Sequence, residues 1–397
     1  QILCLVCRGS FDLAHHHTKQ QKTTTTTTSS MLVSPSRCSL LSVILLRLLL
    51  LLGSSVSTID AFLPPISTNS LVMTSSSLHT QDIHNTRNES PTKRNDQNGV
   101  NVAFLGNSIL YFNDTPRFLF NLSNNKIRHQ NSCLRGGTTL TELFTQGNGM
   151  KRHGFATDNA LMENGEYDVG SPTVQELLQR KDDNNIKWDF VVMNEHTQAP
   201  ARPTTREELQ STLLQHYAPL ITSNNPKATI IFVETAAYRL QGINNSQDLG
   251  TTSQFQQKVR EGIQSYIQVL QHDNTTISAQ MAPVGTAFLH VHNDNYELWE
   301  KLFDPWDNFH PSPTGTFLQG CVLYCTMFDN ALPPTAALCP RTNEEIAALW
   351  KDARMMHPKK KGKDGVELPS VSEVEYLMNV AWDVCQMEKS SSSSSKL

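Results

Sequence analysis

Short apolar runs alternate with amphipathic stretches over residues 98–330, and this alternation restricts the fold more than any other feature of the chain. Continuous apolar runs that end in turn residues are typical of strands buried on both faces of a sheet. We predict such strands at Asn101–Leu105, Lys126–Cys133, Trp188–Met193, Ala228–Val233 and Thr276–Val284.

Between these strands, apolar residues recur at helical spacing. The first predicted helix has Thr115 as its N-cap and Pro116 at its first position, and the others cover Glu207–Leu220, Phe255–Leu270 and Ser312–Phe328. Because strands alternate with helices, we expect an α/β protein, a three-layer α/β/α sandwich around a central parallel sheet.

The segments that flank this domain differ from it in composition. Residues 331–386 predict a C-terminal helical extension that ends in a helix over Val371–Cys385, and the Ser-rich residues 387–397 predict a disordered tail. Residues 62–97 are rich in Ser and Thr and indicate either a flexible linker or a transit-like segment. Residues 1–30 indicate an over-extended gene model or a disordered leader.

Residues 31–61 have the pattern of a secretory signal peptide. Arg37 provides the positive region and Leu40–Leu52 the apolar region, which is shorter than the roughly 20 residues of a membrane span. We therefore expect a secreted or lumenal glycoprotein with no stable membrane span after cleavage, the alternative being the plastid of a complex-plastid alga. Glycosylation sequons occur at Asn88, Asn113, Asn121, Asn244 and Asn274.

Charge and motif content exclude several classes of function. The net charge of −4 and pI near 6.4 show no basic footprint, so no nucleic-acid partner is expected. The cysteines fit no zinc spacing, and His290 and His292 would point to different sides of a helix, so we expect no metal site. No phosphate loop, dinucleotide fingerprint or Gly-x-Ser-x-Gly elbow occurs, and no cofactor is expected.

Polar residues lie where the predicted strands end, which is where ligands bind in parallel sheets. These residues are Gly106-Asn107-Ser108, Gly136-Gly137-Thr138 and Asn194-Glu195-His196, and Asp307 and His310 follow near the end of the domain. A serine hydroxyl attacks an acyl carbon only when a base accepts its proton, and histidine is suited to that role. A carboxylate three residues earlier in a turn can orient the imidazole.

Each element also has a common structural explanation. Gly-x-Ser occurs in many turns, Asp307 with His310 can be a helix-capping or surface pair, and Asn194 can be a turn residue. Gly136 and Gly137 can simply form a loop. Their joint appearance, in this order and at strand ends, favours a catalytic site.

This order is similar to the four blocks of the SGNH hydrolases, also called GDSL-like esterases, and to a subgroup whose first block reads Gly-Asn-Ser. The resemblance covers roughly residues 100–330 and implies a flavodoxin-like SGNH fold, with Ser108 as nucleophile and Asp307 and His310 as its partners. It also implies an oxyanion hole formed by backbone N–H groups of Ser108 and of Gly136 or Gly137, together with the Asn194 amide. Two departures are Asn107 in place of the usual Asp and Met193-Asn194-Glu195 in the third block.

The resemblance implies a carboxyl-ester hydrolase that cleaves O-acyl esters through an acyl-Ser108 intermediate. The polar surroundings favour a short acyl group on a carbohydrate, although a small-molecule or lipid ester stays open. The alternative is a catalytically inactive carbohydrate-binding protein on the same fold, because the departures in the first and third blocks would spoil the oxyanion hole.

Overall fold

The computed structural model describes residues 99–150, 169–179, 186–272, 277–328, 339–356 and 367–394. The predicted leader, signal peptide and linker lie outside these residues. In the described part of the chain no helix has the length and apolar character needed to cross a membrane.

Five strands form one sheet in which every neighbouring pair is parallel. They are β1 (Val100–Gly106), β2 (Ile127–Leu134), β3 (Phe190–Met193), β4 (Thr229–Val233) and β5 (Ser278–Ala282), in the order β2-β1-β3-β4-β5. This is the flavodoxin-like strand order, and it confirms the predicted α/β class. All the predicted strands are present, with ends displaced by a few residues.

Helices follow the strands in the alternation that the sequence predicts. They are α1 (Ser108–Tyr111), α2 (Thr115–Leu122), α3 (Leu140–Gln146), α4 (Val174–Gln179), α5 (Pro203–Thr212), α6 (Ala218–Asn224), α7 (Thr252–His272), α8 (Val284–Asp294), α9 (Tyr296–Lys301), α10 (Pro313–Met327), α11 (Asn343–Ala348) and α12 (Val371–Ser394). A π-helical turn over Leu213–Tyr217 joins α5 to α6, so the predicted helix Glu207–Leu220 consists of three consecutive segments.

Successive residues of β1 point to opposite faces of the sheet, and each face has its own apolar core. Val102 and Phe104 pack against α2, α8, α10 and α12, whereas Ala103 and Leu105 pack on the other face against α3 to α7. All four side chains are fully buried. Two helical layers therefore enclose the sheet, as the strand pattern predicts.

Two helix ends differ from the sequence-based prediction. The N-cap of α2 is Asp114, whose carboxylate accepts a hydrogen bond from the Arg117 N–H, and Thr115 is the first helical residue. Helix α12 continues to Ser394, beyond the point where a disordered tail was expected. Within this last part of α12 the hydroxyls of Ser390 and Ser391 donate to carbonyl groups four residues earlier.

Candidate functional site

The loops after β1, β2 and β3 meet at one edge of the sheet. In the order β2-β1-β3-β4-β5 the later strands lie on both sides of β1, so the topological switch point, where ligands bind in such sheets, lies between the carboxyl ends of β1 and β3. Ser108 directly follows β1 as the first residue of α1, and it is partly exposed. The structure thus brings Ser108 beside the segments that follow β2 and β3.

Asn107 joins these three loops, although the sequence presents it only as a departure from the usual Asp. Its Oδ1 accepts a hydrogen bond from the Ile109 N–H at 3.2 Å and caps α1. Its Nδ2 donates to the Thr138 carbonyl at 3.0 Å, and its backbone N–H donates to Asn194 Oδ1 at 3.0 Å. Because Asn107 is hydrogen-bonded to the segments after β2 and β3, it holds the adjacent Ser108 in a defined position.

Asn194 does not have the orientation that an oxyanion donor needs. The residue is fully buried, and its Nδ2 donates to Asn107 Oδ1 at 2.9 Å and to the Glu195 carbonyl at 3.3 Å. Both amide hydrogens are therefore used inside the protein. A Cβ atom on Gly106 would lie 1.9 Å from Asn194 Oδ1, so the glycine is what lets this amide pack beneath β1. This geometry does not support the predicted oxyanion role of Asn194. The side chain instead holds Asn107 in place through two hydrogen bonds.

The substitution Asn194→Ala tests this revised role. It leaves the buried Asn107 N–H without its partner and removes one of the two donors to Asn107 Oδ1, so we expect a loss of about 1–3 kcal/mol in the free energy of unfolding, together with lower activity. Chemical denaturation measures the first quantity and steady-state kinetics the second. A kcat that falls roughly 10²–10³-fold at unchanged stability would instead restore Asn194 as an oxyanion donor.

Asp307 and His310 form the pair that their spacing predicts. His310 Nδ1 lies 2.7 Å from Asp307 Oδ2, while Asp307 Oδ1 accepts the backbone N–H groups of Phe309 and His310 at 3.0 Å each. Burial opposes ionisation of Asp307, but the hydrogen bonds from His310 and Phe309 outweigh it and hold the pKa of the carboxyl below its ordinary value. The other ring nitrogen, Nε2, is buried and has no hydrogen-bond partner among the described residues. An imidazole held in this way can accept a proton at Nε2.

Two contacts join the segment after α1 to the loop that contains His310. The Phe112 ring stacks on the His310 ring with centroids 4.1 Å apart and an interplanar angle of 4°. Asn113 Nδ2 donates to the Pro311 carbonyl at 2.8 Å. Asn113 is only 3% exposed, so a glycan at this predicted sequon would have no room in the folded protein. The sequence contains no signal for either contact, since Phe112 reads there as part of an apolar stretch and Asn113 as a sequon.

Three backbone N–H groups at this edge are available to a ligand. Those of Ser108, Gly136 and Gly137 make no hydrogen bond to another described residue, and both glycines are exposed. The Tyr111 hydroxyl lies between these two segments: it shares a hydrogen bond with the Ser108 side chain, and a Cβ atom on Gly136 would lie 2.6 Å from it. Sequence reasoning missed Tyr111, whose position three residues after Ser108 was the available signal.

Glu195 links the segment after β3 to the helix that follows the glycine loop, Gly136-Gly137. It is almost fully buried, and its carboxylate accepts the Leu140 N–H at 3.0 Å and the His196 N–H at 2.6 Å. Leu140 begins α3, which Thr139 and Glu142 cap reciprocally. The carboxylate therefore connects the loop after β3 to the start of α3, directly after Gly136 and Gly137.

The buried position of Glu195 predicts a pH-dependent stability. Burial raises the pKa of Glu195 to about 8, and its two backbone hydrogen bonds offset that rise only in part. The folded protein then binds more protons than the unfolded chain between about pH 4.5, the ordinary value, and about pH 8, so stability falls as the pH rises through this range. Glu195→Gln cannot ionise and should show a smaller fall in urea-unfolding free energy between pH 5 and pH 9.

Glu207→Gln, at an exposed position of α5, is the control for this experiment and should keep the wild-type pH dependence. If the Glu195→Gln curve runs parallel to that of the wild type, Glu195 is not the titrating group.

Comparisons with known proteins show likeness to solved structures only. No family model matches the chain. No curated protein sequence matches it. The chain is similar to a candidate SGNH hydrolase from Slackia heliotrinireducens, with 24% identity, a TM-score of 0.39 and coverage of 58% of this chain and 100% of that one.

Two further structures show weaker sequence likeness. One is a DUF4886 family protein from Bacteroides uniformis, with 12% identity, a TM-score of 0.41 and coverage of 64% of this chain and 93% of that one. The other is a carbohydrate esterase family 3 protein from Talaromyces cellulolyticus, with 12% identity, a TM-score of 0.32 and coverage of 58% and 97%. The similarity to SGNH hydrolases and esterases is thus distant and concerns the fold alone.

Proposed function

We propose that this protein is a serine ester hydrolase in which Ser108 is the nucleophile and His310 the base. The observation that carries the proposal is the state of the His310 ring. Its Nδ1 is bonded to the Asp307 carboxylate, its Nε2 lacks a partner among the described residues, and its face stacks on Phe112, four residues after Ser108. Most buried polar side-chain atoms in proteins have a hydrogen-bond partner, and an unpartnered Nε2 opposite a carboxylate-bound Nδ1 is the arrangement that a general base needs.

We propose the following reaction for these groups. Ser108 Oγ attacks the acyl carbon and forms the C–O bond while its proton passes to His310 Nε2. The electron pair of the carbonyl double bond moves to the oxygen. The resulting oxyanion accepts hydrogen bonds from the backbone N–H groups of Ser108 and of Gly136 or Gly137. Collapse of the tetrahedral species expels the alcohol, which takes the proton from His310. A water molecule then attacks the acyl-serine while His310 takes its proton. Collapse of this second tetrahedral species releases the acid, and Ser108 takes the proton back from His310.

We infer that the alcohol part of the substrate is a carbohydrate and that the acyl group is short. Trp306 directly precedes Asp307, and the residue is 59% exposed. Its backbone N–H donates to Asp304 Oδ1 at 2.9 Å, and the Asp304 N–H in turn donates to the His310 carbonyl at 2.8 Å, so the indole is presented by the same loop as the base. An exposed tryptophan on the loop that carries the base suits the apolar face of a sugar ring.

Hydrolysis of p-nitrophenyl acetate and p-nitrophenyl butyrate, compared with release of acetate from an acetylated xylo-oligosaccharide, tests both parts of this proposal. A serine-reactive p-nitrophenyl phosphonate should abolish the activity and label Ser108, as detected by mass spectrometry of the digested protein. Faster turnover of acetate than of butyrate supports a short acyl group, and loss of oligosaccharide turnover in Trp306→Ala supports the sugar contact. A pure protein that binds the oligosaccharide but neither hydrolyses an ester nor reacts with the phosphonate would be the inactive binding protein.

A further inference from the structure

The inward orientation of Asn194 leaves the proposed oxyanion hole with backbone donors and without the side-chain amide that the sequence suggests. Tetrahedral intermediates of acyl transfer are stabilised by several donors aimed at the oxygen where charge develops. A further donor would have to lie close to both Ser108 and the glycine loop. Among the described residues, Tyr111 meets both conditions.

Two independent contacts define the position of the Tyr111 hydroxyl. It shares a hydrogen bond with the side chain of Ser108, the attacking group. It also lies so close to Gly136 that a Cβ atom there would be 2.6 Å from the phenol oxygen. In the proposed reaction the oxygen of the substrate carbonyl is bonded to the carbon that Ser108 attacks and faces the glycine N–H groups. The negative charge on this oxygen therefore develops beside the Tyr111 phenol.

The rest of the tyrosine is held rigidly. The residue is 7% exposed and belongs to the apolar core that also contains Leu110, Phe118 and Phe317. Tyr111 ends the single turn of helix that Ser108 begins, so the two side chains lie on one face of that turn. A donor fixed in this way needs little reorganisation when charge develops, which is the condition for a strong electrostatic contribution.

We propose that Tyr111 is a catalytic residue whose hydroxyl donates to the oxyanion during acyl transfer to and from Ser108. This inference rests on the proposed esterase function. In the free enzyme the phenol bonds to Ser108 Oγ. When Oγ becomes an ester oxygen it is a poorer acceptor, and the phenol O–H turns to the developing oxyanion. Tyr111 keeps its proton throughout, because the proton of Ser108 goes to His310.

The protonation state of Tyr111 is consistent with this role. Burial raises the pKa of the phenol above its ordinary value, while the hydrogen bond with Ser108 opposes the rise. Tyr111 is therefore a neutral donor over the pH range in which an esterase with a histidine base is active.

The substitution Tyr111→Phe removes the donor and keeps the ring in the core. We expect kcat for p-nitrophenyl acetate to fall roughly 10²–10³-fold with little change in KM, the usual result of losing one oxyanion donor. The rate at which the p-nitrophenyl phosphonate labels Ser108 should fall as well, because that reaction also builds charge on an oxygen beside the glycine loop. Labelling is read by mass spectrometry and does not depend on the choice of ester.

Tyr266→Phe is the matched control, because Tyr266 is fully buried and its hydroxyl has no hydrogen-bond partner among the described residues. It should retain the wild-type kcat and labelling rate. If Tyr111→Phe also retains both while Ser108→Ala is inactive, the inference about Tyr111 is overturned and the esterase proposal stands. If the wild-type protein neither hydrolyses esters nor is labelled at Ser108, the esterase proposal fails and the inference fails with it.

Discussion

Ser108→Ala should abolish ester hydrolysis while the protein stays folded. The substitution removes the only atom that can form the acyl-enzyme bond in the proposed reaction, so kcat should fall on the order of 10⁶-fold or to the limit of detection. Ser108 is partly exposed and its hydroxyl bonds to Tyr111, so the loss in unfolding free energy should be about 1 kcal/mol or less. Initial rates with p-nitrophenyl acetate and a urea-unfolding curve measure the two effects.

Ser265→Ala provides a control for Ser108→Ala. Ser265 is also partly exposed, but its hydroxyl donates to the Gly262 carbonyl of its own helix α7, at 2.7 Å. This variant should keep full activity. Normal turnover by a folded Ser108→Ala protein would show that Ser108 is not the nucleophile.

His310→Ala should be as inactive as Ser108→Ala, because without the base Ser108 cannot lose its proton during attack. Members of one catalytic unit are strongly non-additive, so the double variant should be scarcely worse than either single one. Asp307→Asn should lose less activity than His310→Ala, since the ring is still present and still stacked on Phe112. Comparing kcat/KM for the four proteins tests this order.

His292→Ala is the control for His310→Ala. His292 on α8 also packs its ring against aromatic side chains, those of Tyr296 and Trp299, but it lies outside the proposed site. It should leave kcat/KM unchanged. Near-normal kcat in His310→Ala would contradict the proposed mechanism, and additive losses in the double variant would show that Ser108 and His310 do not act as a unit.

The sequence alone was sufficient for the features that depend on local pattern. The apolar runs from Asn101 and from Ala228 predict buried parallel strands, because a strand covered on both faces needs apolar residues throughout. The contact between Asp307 and His310 was also predictable, since a carboxylate three residues before a histidine can reach it within one turn. The order of these segments along the chain predicts that Ser108 lies at a strand end.

The tertiary structure decided which polar groups at that strand end face the ligand and which face the interior. Asn194 turns inward because Asn107, 87 residues away in the chain, accepts its amide hydrogen, and spacing along the sequence contains no information about that partner. Tyr111 and Phe112 read as parts of an apolar stretch, yet the fold places one against Ser108 and Gly136 and the other against His310. The orientation of a side chain at a site depends on hydrogen bonds and packing between segments that are distant in sequence, so only the folded chain determines it.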